Sequence, residues 1–219
     1  MLANKLFKQI KKNQIMNKIK TLAIIGAVAL FSNASFAQMD KMVTKEKMGK
    51  MKMKGKKEKT VMVGGAAMYP SKNIVENAVN SADHTTLVAA VKAAGLVETL
   101  QSAGPFTVFA PTNAAFNLLP AGTVDNLVKP ENKKTLTTIL TYHVVSGKYN
   151  ASDIARLIKA GNGKATLKTV SGGNLYATMK GNKLILTDEA GGMAMVTIKD
   201  VNQSNGVIHV IDHVLMPKM

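Results

Sequence analysis

The chain has 219 residues but no cysteine and no tryptophan, and tyrosine and phenylalanine together supply only ten of them. Without cysteine there is no disulfide framework and no thiolate nucleophile or metal ligand, so a folded domain must be held by its apolar core. Long apolar runs are missing as well. Leu22 to Phe31 makes a run of ten residues, whereas a membrane-spanning helix needs about 20. Acidic residues are scarce, 13 against 29 Lys and Arg, for a formal net charge of +16. Also missing are the signatures of common catalytic sites. There is no G-x-S-x-G elbow and no H-E-x-x-H pair, and "GNGKAT" at 161–166 lacks the earlier glycine and the hydroxyl after Lys164 that a phosphate-binding loop requires. The paired Asp188 and Glu189 stand beside a turn and read as solvated. These absences argue against an enzyme, and no cofactor is implied.

What is present is divided unevenly along the chain. Residues 1–37 hold six lysines and no carboxylate, residues 38–68 nine lysines and three carboxylates, and residues 69–219 fourteen basic and ten acidic side chains. The basic excess therefore belongs mostly to the first 68 residues, and a nucleic-acid partner is not indicated for the remainder. Lys18 and Lys20 precede the apolar run, and Ser35 and Ala37 stand at small-residue positions after it, which is the layout of a secretory signal peptide over 1–37. Met16 begins a complete signal of its own, so the first fifteen residues read as an upstream start. Residues 38–68, "QMDKMVTKEKMGKMKMKGKKEKTVMVGGAAM", carry Lys or Met at most of the earlier positions and read as a solvated linker. The folded domain is expected over 69–219.

Within that domain helical periods come first and strand periods later. Ser81 or Asp83 caps a helix carrying Leu87, Val88, Val91 and Ala94, which Gly95 stops. "PFTVFAP" reads as a short strand, and Thr112 caps the turn of helix that follows. Pro130 opens a helix with Leu136, Ile139, Leu140 and His143 on one face, and "SDIARLIKAGN" is a further short helix. "ATLKTV", "NLYATMKGNKLILTD", "MAMVTIKDV" and "GVIHVIDHVLM" then alternate as strands, with Gly181 and Asn182 as a two-residue hairpin turn. The pattern predicts an α+β domain, with no βαβ alternation and no doubly wound sheet.

Three stretches recur together in order: "GPFTVFAPTNAAFNLLP" at 104–120, "TYHVVSGKY" at 141–149 and "NGVIHVIDHVLMP" at 205–217. Together they resemble the fasciclin domain. The resemblance implies a wedge of antiparallel strands packed against several α-helices, on a secreted or cell-surface protein that acts as a binding or adhesion module. The implied partners are cell-surface or matrix proteins or polysaccharides, and the implied location is periplasm, cell envelope or the exterior. It also implies that the partner-binding segment of some members corresponds to Tyr142, His143, Val144 and Val145.

Two other groups of residues invite a sharper chemistry. His209 and His213 stand four apart, a chelating spacing on a helix, but the β-branched run around them predicts a strand, on which they would lie about 13 Å apart, too far to share one ion. Both are expected to be structural. Met39, Met42, Met48, Met51 and Met53 offer soft thioether ligands suited to Cu(I), against which the interleaved lysines repel a cation. The same lysines suit an anionic envelope polymer. A plain spacer is the remaining reading of that segment.

Overall fold

The computed structural model describes residues 58–218. The signal-like segment and Met39, Met42, Met48, Met51 and Met53 lie outside the described residues. The first element of the described residues is a small antiparallel hairpin, β1 (Val61–Val63) and β2 (Ala66–Met68). Its two-residue turn needs left-handed backbone at both positions, which Gly64 and Gly65 supply with φ of 55° and 76°. Val63 and Met68 are buried in the core. This hairpin falls inside the segment expected to be linker, so the packed part of the chain begins before residue 69.

The helical layer follows: α1 (Ile74–Ala78), α2 (Thr85–Ala94), α3 (Val97–Gln101), α4 (Asn113–Asn117), α5 (Thr123–Leu127) and α6 (Lys133–Tyr142). Three of the stops and caps read from the sequence act as expected. Gly95 ends α2 in the left-handed conformation, the Thr112 side chain accepts from Ala115 N–H, and Pro130 begins a 3₁₀ turn leading into α6. Neither Ser81 nor Asp83 caps α2 directly: a 3₁₀ turn over Ala82–His84 intervenes, and α2 starts one position later than a cap at Asp83 and three later than a cap at Ser81 would set it. α1, α3 and α5, each of five residues, carry too few turns to announce a period.

Seven strands form one sheet: β3 (Phe106–Pro111), β4 (Val144–Ser146), β5 (Lys164–Lys168), β6 (Asn174–Lys180), β7 (Lys183–Thr187), β8 (Met193–Gln203) and β9 (Gly206–Ile211). Their order is β4-β3-β9-β8-β7-β6-β5, and α7 (Ala151–Ala160) lies between β4 and β5 in the chain. The expectation of a purely antiparallel sheet is corrected at one pair. β3 and β9 run parallel from Phe106/Gly206 to Pro111/Ile211. The reason is that β3, an early strand, is inserted between β4 and the last strand, and most of the domain serves as its crossover.

The two edges of this sheet meet. Val145 in β4 bridges Thr169 just past β5, and Val170 N–H donates to the Val144 carbonyl at 2.7 Å. The sheet therefore curls almost into a barrel, and each of its seven strands contributes to one interior: Phe109, Val145, Leu167, Leu175, Leu186, Ala194 and Ile211 among them, with Ile154 and Ile158 of α7 added. A second core lies on the outside of β3 and β9, where Val108, Ala110, Ile208 and Val210 meet Leu87, Ala90, Leu136 and Leu140 of the helical layer. Asn205, buried at the β8–β9 turn, ties the layers together: its amide oxygen accepts from Ile74 N–H and its nitrogen donates to the carbonyls of Leu100 and Ser102.

Candidate functional site

The segment Tyr142 to Val145 sits where α6 gives way to β4, at the seam between the two sheet edges. All four residues are buried, with 0–7% of their surface exposed. Each side chain faces inward, because the segment is covered by the helical layer on one side and by the barrel interior on the other.

Tyr142 reaches across the barrel end. Its hydroxyl donates to the Asn174 carbonyl at 2.7 Å and accepts from Glu189 N–H at 3.1 Å, joining α6 to β6 and to the turn after β7. The Glu189 carboxylate in turn accepts from the backbone and side chain of Asn174. A Cβ at Gly173 would stand 2.7 Å from the tyrosine ring, so this glycine is required for the approach. Burial pushes the Tyr142 hydroxyl up to about 12.

His143 uses both ring nitrogens. Nδ1–H donates to the Ile139 carbonyl at 2.9 Å, and Nε2 accepts from Leu215 N–H at 3.0 Å. These partners fix one neutral tautomer and attach the C-terminal segment to the end of α6. Burial holds the imidazole below its usual value, opposed by the Ile139 hydrogen bond. The geometry of His143 is that of a core histidine with both ring nitrogens satisfied.

The other histidines separate into two kinds. His209 is fully buried in β9 and stacks on Phe109 with ring centroids 5.7 Å apart. Its Nε2–H donates to the Tyr149 carbonyl at 2.9 Å, while Nδ1 accepts from Asp200 N–H at 3.3 Å. Burial lowers its pKa, with the Tyr149 hydrogen bond opposing. His213 lies beyond the end of β9, half exposed, with Nδ1 2.8 Å from Asp212. The expectation that both belong to one strand is corrected here. Asp212 takes Met195 N–H with its side chain at 2.7 Å, and the chain bends away from the sheet. His84 is the third buried histidine. Nδ1 meets Ser81 Oγ at 2.8 Å, but Nε2 has no partner of good geometry, and burial lowers its pKa.

Two features escaped sequence reasoning. Asp200 adopts a left-handed φ of 60° at a bulged part of β8, and its carboxylate accepts from Ala151 N–H at the start of α7; a lone Asp in a strand gives no signal of that role. The other is the outer face of β5–β7, whose Lys, Thr and Tyr residues were legible as alternation but not as a continuous surface.

Comparison with known proteins agrees with this architecture. The Fasciclin domain matches residues 82–217. Protein sll1483 of Synechocystis sp. is 47% identical over 162 residues, covering 74% of this chain and 83% of that protein. Immunogenic protein MPB70 of Mycobacterium bovis is 40% identical over 143 residues, 63% of this chain and 65% of MPB70. The transforming growth factor-beta-induced protein ig-h3 of Sus scrofa is 38% identical over 131 residues, 60% of this chain but only 17% of that larger protein. With the three motif blocks falling on β3, on the α6–β4 seam and on β9, this chain belongs to the fasciclin domain family.

Proposed function

We propose that the chain is an exported, non-enzymatic binding module of the adhesion type, working at the cell envelope or outside it. The observation that carries this reading is the chemistry of the seam. The hydroxyl of Tyr142 and both nitrogens of His143 are committed to backbone groups, so the most distinctive residues of the family motif act as fasteners that hold a surface. In this reading Tyr142, His143, Val144 and Val145 contribute to partner binding by keeping the sheet edges together. A place at the cell surface is supported by a relative named as a cell surface glycolipoprotein, MPB83 of Mycobacterium bovis.

The test is attachment of the full-length chain to whole cells and to isolated envelope polymers, compared with a variant whose lysines between 41 and 57 are all glutamine. The expected result is attachment by both. Attachment confined to the lysine-bearing chain would transfer the activity to the N-terminal segment. Cu(I) uptake that disappears when Met39, Met42, Met48, Met51 and Met53 become leucine would favour metal handling instead.

A further inference from the structure

Among the described residues, helices cover the outside of the barrel on β3 and β9, and nothing covers it on β5, β6 and β7. Burial alternates along β5 and β7 and over the first five positions of β6, Met179 being exposed. Ala165, Leu167, Leu175, Ala177, Leu184, Leu186 and Ala194 point inward and are buried, while every intervening residue is open to solvent in part or in full. α7, the helix that packs against β5 and β6, lies on the buried side with Ile154 and Ile158. The register places the outward side chains in rows across the strands. Thr166, Tyr176, Thr187 and Met193 form one row, and Lys164, Thr178, Ile185 and Met195 the next. Lys168 stands opposite Asn174 beyond the first row, and Lys180 opposite Lys183 beyond the second.

Four lysines thus frame a platform of threonine hydroxyls around one tyrosine; no carboxylate stands in these rows, and Glu189 touches their edge through the Asn174 side chain. The nearby carboxylates are already occupied. Asp188 accepts from the backbone of Ala190, Gly192 and Met216, Glu189 from Asn174, and Asp212 from Met195 and His213. Among the described residues no lysine forms an ion pair. Lys164 lies with its ammonium 3.9 Å from the centre of the Tyr176 ring, which keeps that charge on the face. A set of like charges without ion-pair partners draws an anionic partner toward the surface that bears it.

Resting on the binding-module reading, we infer that this open face of β5–β7 is the partner surface and that it takes an acidic polysaccharide, laid across the strands. The charge calls for an anion. The threonines and Asn174 supply donors and acceptors for sugar hydroxyls, and rows of side chains running across three strands suit an extended chain better than a compact ligand. A lipid surface fits less well, because Met193 is the one large apolar residue on the two rows that stands mostly free, at 64% exposure.

The test uses the full-length chain and polygalacturonate, with neutral dextran and phosphatidylglycerol vesicles for comparison. Acetylation of lysines is read residue by residue, so the N-terminal lysines do not obscure the answer. Polygalacturonate should protect Lys164, Lys168, Lys180 and Lys183 while leaving Lys133 and Lys134 of α6 reactive. In a background with the lysines between 41 and 57 changed to glutamine, Lys164→Glu/Lys168→Glu should weaken binding roughly tenfold, against little change for Lys133→Glu/Lys134→Glu. An unchanged affinity in the first pair, equal losses in both pairs, or stronger binding to the vesicles overturns the proposal. Envelope attachment that survives Lys164→Glu/Lys168→Glu removes this face and leaves the module reading standing. An unaltered chain that attaches to no cell or envelope fraction removes the module reading itself.

Discussion

β9 is buried at every position from Gly206 to Ile211, whereas β6 alternates buried and open residues along its first five positions. The two strands lie in one sheet, yet β9 is sandwiched between the helical layer and the barrel interior while β6 has protein on one side only. The difference teaches where the chain spends its apolar residues. A doubly covered strand needs a continuous β-branched run, and a polar residue in it, such as His209, must bring its partners along. A singly covered strand leaves half its positions free, and here those positions carry lysine, threonine and tyrosine.

The strongest way to break this contrast is to remove bulk on each side. Phe109→Ala empties the barrel interior beneath the doubly covered strands and should cost about 3–5 kcal/mol in a denaturant melt, whereas Ile185→Ala on the open face should cost under about 1 kcal/mol. Equal losses would mean that the open face is covered in solution. His143→Ala strands the Leu215 N–H and the Ile139 carbonyl, with an expected cost of about 2–4 kcal/mol. The control is His213→Ala, half exposed, which should stay within about 0.5 kcal/mol of the parent.

A smaller effect is read by pH. His84, His143 and His209 are held neutral by burial, so their folded pKa values lie below the ordinary 6.5. Above that value both folded and unfolded chains carry neutral imidazoles, and these residues add no pH dependence. As pH falls through about 6.5 the unfolded chain binds protons that the folded one refuses, so stability should decline with acid. Replacing His84 with an apolar residue should flatten that decline in chemical-denaturation curves taken between pH 7 and 5. Tyr142→Phe sharpens the comparison at the seam: the ring stays while the Asn174 carbonyl and Glu189 N–H lose their partner, for about 1–2 kcal/mol.

Much of the fold was legible because its signals are local. The alternation in "KATLK" and "NLYATMK" marks strands, the Gly181–Asn182 dipeptide marks their turn, and the caps at Thr112 and Gly95 act within four residues of where they stand. The parallel pairing of β3 with β9 and the bridge from Val145 to Thr169 were not legible, since each joins residues that no local period relates. The candidate segment was found by its motif, and the apolar face that carries His143 already pointed to the core. The partners were not legible, because Asn174, Glu189 and Leu215 come from distant parts of the chain. The hairpin at Val61–Met68 was missed because the basic composition before it masks three-residue strands.

The amino-acid sequence by itself determined the division into a basic N-terminal part and a cysteine-free α+β domain, the apolar periods of its longer elements, and its place in the family. Composition and spacing are enough for those, because hydrophobic period and turn chemistry act over a few residues. Only the tertiary structure decided which face of which strand is left bare, and that Tyr142 and His143 fasten the seam. Burial is a property of what packs against a residue, and the partners that settle it here lie as far away as Leu215, 72 positions from His143.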